Sequence, residues 1–417
     1  MLAIYRLGCH VPMPGVDGAA LAAQMDQAGG FLGFYDLFTG GAFTNATVFA
    51  LGIMPYITAS IIFSLLIPVI PQLEQLQKSG QDGQKKITEY TRYATIGLCI
   101  VQSLIVASYL RSLGPEIVPA SGPGFFLMCM LSLTTGTAFI MWQGEQISEH
   151  GVGNGISLII FVAIVSAAPG AVQRLFSYIS VGDVDPLQAL ILVFLLVVVV
   201  MGAIVVTTGQ RRIPVQYPRQ VKGRRVSGGQ RSYLPLRVNQ AGVIPIIFAS
   251  SLLMLPTMMA GSVADPNAES LLRTLFDPAG VFYNIIYAGL IIFFAFFYTA
   301  ITFNPVETAD TMKKYGGVIV GVRPGKATAD YLNFVMTRIT TVGALFLAVV
   351  ALLPVVLVYN FLEIEDWAIT QFFGGTSLLI LVGVALDTIK QIEQHLVMRH
   401  YEGFGPRGGR IRGRRSF

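Results

Sequence analysis

The sequence predicts an all-α polytopic membrane protein, and three observations carry that prediction. Of 417 residues, 53% are apolar and 12% charged, about half the charged share of an ordinary soluble domain, which is near 25%. Nine uncharged apolar runs recur along the chain. The segments between them sort by sign of charge. This composition excludes a soluble cytosolic enzyme and a disordered chain. With Cys9, Cys99 and Cys129 far apart and no CxxC, it also excludes a secreted disulfide scaffold.

The runs fall at 48–70, 93–110, 125–142, 156–172, 187–208, 239–260, 282–303, 339–361 and 373–386. Most have the roughly 17–25 residues that cross a hydrocarbon core as a helix. Lipid satisfies no backbone group, and each unpaired one costs several kcal/mol, so the runs are read as helices.

Residues 209–238 carry eight cations and no acid, 71–92 carry Lys78, Lys85, Lys86 and Arg92 against three acids, and the tail after 396 carries six arginines. Residues 304–338 are mixed, with Lys313, Lys314, Arg323, Lys326 and Arg338 against Glu307, Asp310 and Asp330. By contrast, 360–371 hold Glu363, Glu365 and Asp366 without a base, and 261–281 hold three acids against Arg273. The Lys/Arg bias places the first four segments in the cytoplasm and the last two outside. An even number of spans separates every pair of cytoplasmic segments, which leaves 1–47 outside.

Residues 1–6 lack the basic start and long apolar stretch of a secretory signal. Met1-Leu-Ala-Ile-Tyr5 reads instead as the outer end of a tenth helix whose inner part this chain lacks. The alternative is a translocated N-terminal tail.

Matching Gly/Pro interruptions in two halves are the sequence mark of an inverted repeat, and two matches occur. Residues 52–60 and 242–250 share G-x-x-P-x-I-x-A-S; residues 155–160 and 375–380 share G-x-S-L-x-I. The members of each pair lie five spans apart, an odd number, so the halves face opposite ways. Ile57 matches Ile247 and Ile160 matches Ile380, while Ile53 and Ile156 sit four residues earlier, on the same helical faces. Isoleucines in membrane helices ordinarily face lipid or neighbours; symmetry would instead gather these at the midplane.

No Asp, Glu, Lys, Arg or His lies inside the nine runs, and Asp387 sits at an inner end. Coupled carriers usually keep such groups in the membrane. Residues 321–327 lack the spacing and Ser/Thr of a phosphate-binding loop. His10, His150, His395 and His400 form no HExxH pattern. The sequence therefore predicts no catalytic residues, metal or cofactor.

Residues 49–60, 151–157, 209–214 (Gly-Gln-Arg-Arg-Ile-Pro), 241–248 and 321–325 (Gly-Val-Arg-Pro-Gly) resemble the SecY family, the central subunits of the bacterial protein-conducting channel. The resemblance runs from about Tyr5 to the end and departs at the N-terminus, where the family has a full first helix and a leader. It implies ten helices in two inverted five-helix halves, with the first helix truncated here. Those halves are 1–173 and 174–396, with cytoplasmic loops 209–238 and 304–338 and a basic tail at 397–417.

The resemblance also implies an apolar pore ring at Ile53, Ile57, Ile156, Ile160, Ile247 and Ile380. Residues 33–47 are too short and Gly-rich to span; they resemble the family's plug, with Tyr35, Leu37, Phe38, Gly40, Gly41, Ala42 and Phe43 as its residues, against the alternative of an ordinary external loop. The family's lateral gate, through which signal sequences and membrane helices leave, would have Thr58, Gln102 and Ser251 as polar candidates, each also readable as a helix-packing residue. Implied partners are SecE, SecG, the motor SecA, the ribosome and preprotein signal sequences, in a bacterial plasma membrane with the C-terminus cytoplasmic. SecA or the ribosome would supply the energy.

Arg211, Arg212, Lys222, Arg224, Arg225 and Arg231 lie in a stretch whose Ile-Pro-Val-Gln-Tyr, Gly228-Gly229 and Ser-Tyr-Leu-Pro-Leu read as a protruding hairpin. Its unopposed cations suit ribosomal RNA phosphates, and by resemblance this loop and Arg323 receive SecA. The tail cations at 407–415 suit either RNA or anionic lipids. A small-solute carrier also fits inverted repeats, though not the missing intramembrane charge; a pore-less insertase scaffold would lack the plug and the paired isoleucines.

Overall fold

The computed structural model describes residues 1–28, 36, 38–119, 122–182, 184–217, 219–222, 225–228, 231–260, 275–276, 280–361, 369 and 372–402. In chain order the helices are α1 (Leu2–Gly8), α2 (Gly18–Ala28), α3 (Met54–Leu66), α4 (Pro71–Lys78), α5 (Gln81–Ser112), α6 (Pro123–His150), α7 (Gly155–Val181) and α8 (Pro186–Thr208). Strands β1 (Gln210–Gln216), β2 (Arg219–Lys222), β3 (Arg225–Gly228) and β4 (Arg231–Arg237) follow. Then come α9 (Ile244–Ala260), α10 (Val281–Thr302), α11 (Pro305–Lys314), β5 (Val318–Ile319), α12 (Lys326–Phe361) and α13 (Gly375–Glu402).

Each of the nine apolar runs carries a helix. Seven helices among the described residues are long and apolar enough to span; α3 and α4, bent by 99°, add an eighth if taken together, and the apolar stretch Ile244–Leu253 of α9 is shorter. The observed helices outrun the predicted ones on the side assigned to the cytoplasm. α5 starts at Gln81, α12 at Lys326, and α13 continues to Glu402. Hydropathy marks only the lipid-facing part of a helix; its hydrogen-bond ladder continues into water at no penalty.

Helix starts follow local chemistry. Proline stands in the first turn of α3, α4, α6, α8 and α11, where its missing N–H would have no partner in any case. Asn154 caps α7 by accepting from the Ile156 and Ser157 amides at 3.1 and 3.2 Å.

The packing repeats. α1 meets α7, α3 meets α5, α5 meets α6 and α6 meets α7; correspondingly α8 meets α13, α9 meets α10, α10 meets α12 and α12 meets α13. The two series touch where α3 meets α9 and α7 meets α13, and through α7 with α8. One large buried cluster draws on both series.

The hairpin expected at 209–238 is present but differs in two ways. β1 pairs with β4 from Gln210↔Arg237 to Gln216↔Arg231, and β2 with β3 from Arg219↔Gly228 to Lys222↔Arg225. The chain thus reverses between Lys222 and Arg225, with Gly228 ending β3 rather than forming the turn. β1 also pairs with β5, giving the order β4-β1-β5. The loops 209–238 and 304–338 form one unit, closed by a core of Ile213, Val215, Leu236, Met312, Ile319, Leu332, Val335 and Met336. Apolar alternation along β1 demanded cover for Ile213 and Val215; the other loop supplies it.

Candidate functional site

The first repeat motif builds the same turn twice. Gly52 and Gly242 both adopt left-handed backbone, φ 55° and 64°, a region open to glycine and strained for other residues. The carbonyl of Ile53 then accepts from the Tyr56 and Ile57 amides at 3.1 and 3.2 Å; that of Val243 accepts from Ile246 and Ile247 at the same two distances. Each turn opens a helix inside the molecule, α3 or α9, with Ile57 or Ile247 in its first full turn.

The second motif marks a close approach. A Cβ on Gly155 would strike the Gly144 carbonyl oxygen of α6, and one on Gly375 the Val350 carbonyl oxygen of α12. Sequence reading missed a third pair. Gly136 of α6 faces the Val48 carbonyl and Gly343 of α12 the Val238 carbonyl, each four residues before its turn glycine. Small residues let membrane helices approach backbone to backbone, and a lone glycine in an apolar run was the available signal.

Five of the six ring isoleucines, Ile53, Ile57, Ile160, Ile247 and Ile380, are buried in one cluster, and Ile156 is half-buried against it. They come from α3 and its preceding turn, α7, α9 and α13, the four helices joined by contacts between the two series. Val243, the positional equivalent of Ile53, is buried with them against Gly383.

Phe38, Ala42 and Phe43 of the plug segment lie in that same cluster. Gly40 and Gly41 have φ 67° and 85°; Tyr35 and Leu37 lie outside the described residues. Asp36 ties the segment together, its carboxylate accepting from the Phe43 and Thr44 amides at 3.1 and 2.9 Å. Burial raises the Asp36 carboxyl above its usual range, and hydrogen bonds from Thr44 and Phe43 only partly offset this. α1 grips the segment from the other side. The Tyr5 hydroxyl donates to the Thr39 carbonyl at 3.1 Å, the Arg6 guanidinium to the Gly40 carbonyl, and Cys9 Sγ lies 3.7 Å from the Thr39 oxygen. Gly40 in turn rests on Ala163 and Ser166 of α7.

The three gate candidates are all buried, but the structure gives them no mutual hydrogen bond. Thr58 donates back to Met54 of its own helix at 3.1 Å. Gln102 Oε1 and Ser251 Oγ have no hydrogen-bond partner among the described residues.

In the loops 209–238 and 304–338, Arg211, Arg212 and Arg323 are exposed. Lys222, Arg225 and Arg231 belong to strands, while Arg224 lies outside the described residues. A cavity of about 350 Å³ opens among Asn154, Ser157, Arg237, Gly242, Asp387 and Lys390, at the starts of α7 and α9. Gln391 of α13 accepts from the Gly153 amide across it at 2.8 Å.

The structure thus brings together a cavity lined by polar and charged residues at the starts of α7 and α9 and one buried apolar cluster that holds the isoleucines with Phe38, Ala42 and Phe43. Comparison with known proteins bears on the family and the fold. The SecY family model matches residues 47–389. The protein translocase subunit SecY of Aquifex aeolicus is 43% identical over 97% of this chain and 94% of its own length. Among solved structures, a SecY whose plug domain stabilises the closed state of the translocation channel covers 97% of this chain and 92% of its own at TM-score 0.67 and 17% identity. The canine Sec61 of a ribosome–channel complex from the endoplasmic reticulum covers 97% and 93% at TM-score 0.65 and 16% identity.

Proposed function

Because the chain belongs to the SecY family of protein-translocation channel subunits, we propose that it passes unfolded preproteins across the bacterial plasma membrane and releases membrane helices sideways. It is a multi-pass membrane protein. The observation that carries the reading is the single buried cluster holding both the isoleucines of four helices and the segment 38–43.

A charge at the bilayer centre costs about 2.5–3.5 kcal/mol on insertion scales, and an unfolded chain carries many. Water on both sides of a short apolar constriction removes most of that cost, while the constriction itself excludes ions by dewetting. Isoleucine suits such a gasket: it is stiff at χ1 and forms no hydrogen bond with any passing sequence. With Ile53, Ile57, Ile156, Ile160, Ile247 and Ile380 as that ring, the segment 33–47 is the plug that completes the seal at rest.

The division into halves at 1–173 and 174–396 rests on the repeated packing order of the two series. The lateral gate lies between α3 and α5 on one side and α9 and α10 on the other. Buried Gln102 Oε1 of α5 and Ser251 Oγ of α9 lack partners among the described residues, each at a cost of about 1–3 kcal/mol. Opening the gate to water or a signal sequence relieves that cost. The basic hairpin and the Arg323 turn receive the ribosome and the motor SecA, which supply the energy. SecE and SecG complete the complex, anionic lipids meet the cytoplasmic cations, and the C-terminus is cytoplasmic.

The test is reconstitution with SecE, SecG, SecA and ATP, followed by protease protection of a preprotein. Protection that depends on ATP supports the reading. Solute uptake without protection would replace it with a carrier.

A further inference from the structure

We propose that Tyr5 and Arg6 of α1 are positioning residues that hold the channel shut by clasping the carbonyls of Thr39 and Gly40. This rests on reading 33–47 as the plug, and it assigns the device that keeps the plug seated.

The two donors are neighbours on one helix and reach two consecutive carbonyls, Tyr5 to Thr39 at 3.1 Å and Arg6 to Gly40. Both target residues are buried, Thr39 at 0% exposure. The far side of the same dipeptide is packed without slack. A Cβ on Gly40 would sit 3.1 Å from Ala163 Cα and 3.2 Å from Ser166 Oγ, and one on Gly52 would sit 3.0 Å from Thr39 Cγ2. Thr39–Gly40 is therefore held between α1, α7 and the turn that precedes α3.

Its depth matters. Ala163 lies three residues, about one helical turn, beyond the ring residue Ile160 on α7, and Gly52 adjoins the ring residue Ile53. The clasp thus fixes the plug one turn away from the waist. Arg6 is half-buried at the end of the apolar stub, and its partner there is the Gly40 carbonyl. Asp36 organises the opposite side by accepting from Phe43 and Thr44, so the plug keeps its own fold when the clasp lets go.

A mechanical consequence follows. α1 and α7 belong to one series and touch each other, so parting α3 from α9 leaves both donors in place. The plug departs only when Tyr5 and Arg6 exchange its carbonyls for water or for the passing chain.

The experiment uses the channel reconstituted with its partner subunits, without preprotein, as wild type, Tyr5→Phe, Arg6→Met, Arg6→Lys and a deletion of 36–43. Ion leak is measured together with maleimide labelling of Cys9, which faces Thr39; the equally buried Cys99 and Cys129 serve as internal controls. A hydrogen bond to a charged group is typically worth 1.5–3 kcal/mol, and 1.4 kcal/mol is tenfold. Arg6→Met should therefore raise leak and Cys9 labelling by roughly tenfold or more, and Tyr5→Phe by about threefold. Arg6→Lys should recover part of the seal, with Cys99 and Cys129 still protected. If the deletion leaks while Arg6→Met and Tyr5→Phe seal normally, the clasp is wrong and the plug stands. If the deletion itself does not leak, the plug reading fails and the clasp with it. Equal labelling of all three cysteines in Arg6→Met would mean general loosening and would also overturn the proposal.

Discussion

Gly52 lies with its Cα against the side chain of Thr39, so close that a Cβ would come within 3.0 Å of the threonine Cγ2. Its repeat partner Gly242 has similar backbone, φ 64° against 55°, yet its nearest neighbour is Asp387 Oδ2 at 3.8 Å. Both Ala variants incur left-handed strain of about 1–2 kcal/mol; Gly52→Ala alone also pushes on Thr39. It should leak ions severalfold more than Gly242→Ala at equal expression. Planar-bilayer conductance decides, and equal leak in the two would argue that Gly52 does not support the plug.

Gly155→Ala and Gly375→Ala should fail alike, because each would drive a Cβ into a carbonyl of the preceding helix. Backbone cannot yield as a side-chain tip can, so each costs at least the 1–3 kcal/mol of ordinary overpacking. The expected result is a lowered melting temperature in detergent for both. Gly289→Ala, in open space on α10, should be neutral. A neutral Gly155→Ala would mean that α6 and α7 are not in backbone contact.

These glycines also show what the sequence made legible. Gly52, Gly155, Gly242 and Gly375 surfaced because the repeat preserves them together with Pro and Ser at fixed spacing. Gly136 and Gly343 play the same part, but sit among unrelated neighbours, so no pattern flags them. The isoleucines came out through the same repeat. Arg6 was readable as a charge at the end of an apolar stub; its partner was not, since the contact spans 34 residues. The β1–β5 pairing was hidden because β5 is two residues long, below the length at which alternation carries a signal.

Ile380→Asn should loosen the seal and relax signal selectivity. Ile380 is fully buried among apolar side chains. An amide there lacks partners in the closed state, which destabilises that state by about 1–3 kcal/mol and favours a hydrated pore. Export of a preprotein with a defective signal sequence should rise several-fold in a translocation assay. Unchanged selectivity and leak would remove Ile380 from the ring.

Asp36 makes plug seating depend on acidity. Its carboxyl is raised by burial when the plug is seated and returns to about 3.9 once displaced into water. The seated state therefore binds more protons between the two values. That contribution to seating is complete below the ordinary value and is lost as pH rises through the raised one. The neighbouring groups from α1 are Tyr5, Arg6 and Cys9. Leak measured against external pH should fall on acidification, and Asp36→Asn should abolish the dependence. A pH-dependent leak that survives Asp36→Asn would place the titrating group elsewhere.

Force applied to the loops 209–238 and 304–338 should reach the membrane through α12. Ile319 of β5 pairs with Val215 of β1 and shares a core with Leu332, Val335 and Met336 of α12. α12 runs on without interruption to Gly343 and Val350, the residues against which the turn before α9 and the start of α13 pack. The exposed Arg323 stands in the turn that joins β5 to α12, so a motor docked there pulls on a lever already tied to the pore. Ile319→Asp buries a carboxylate in that small core and should detach the strand. Motor affinity on vesicles should then stay within about twofold while ATP-driven export falls by about tenfold. Arg323→Glu should lower affinity and export together, leave membrane assembly intact, and weaken the salt dependence of binding. Full export by Ile319→Asp would mean that the loops act separately and α12 carries no force.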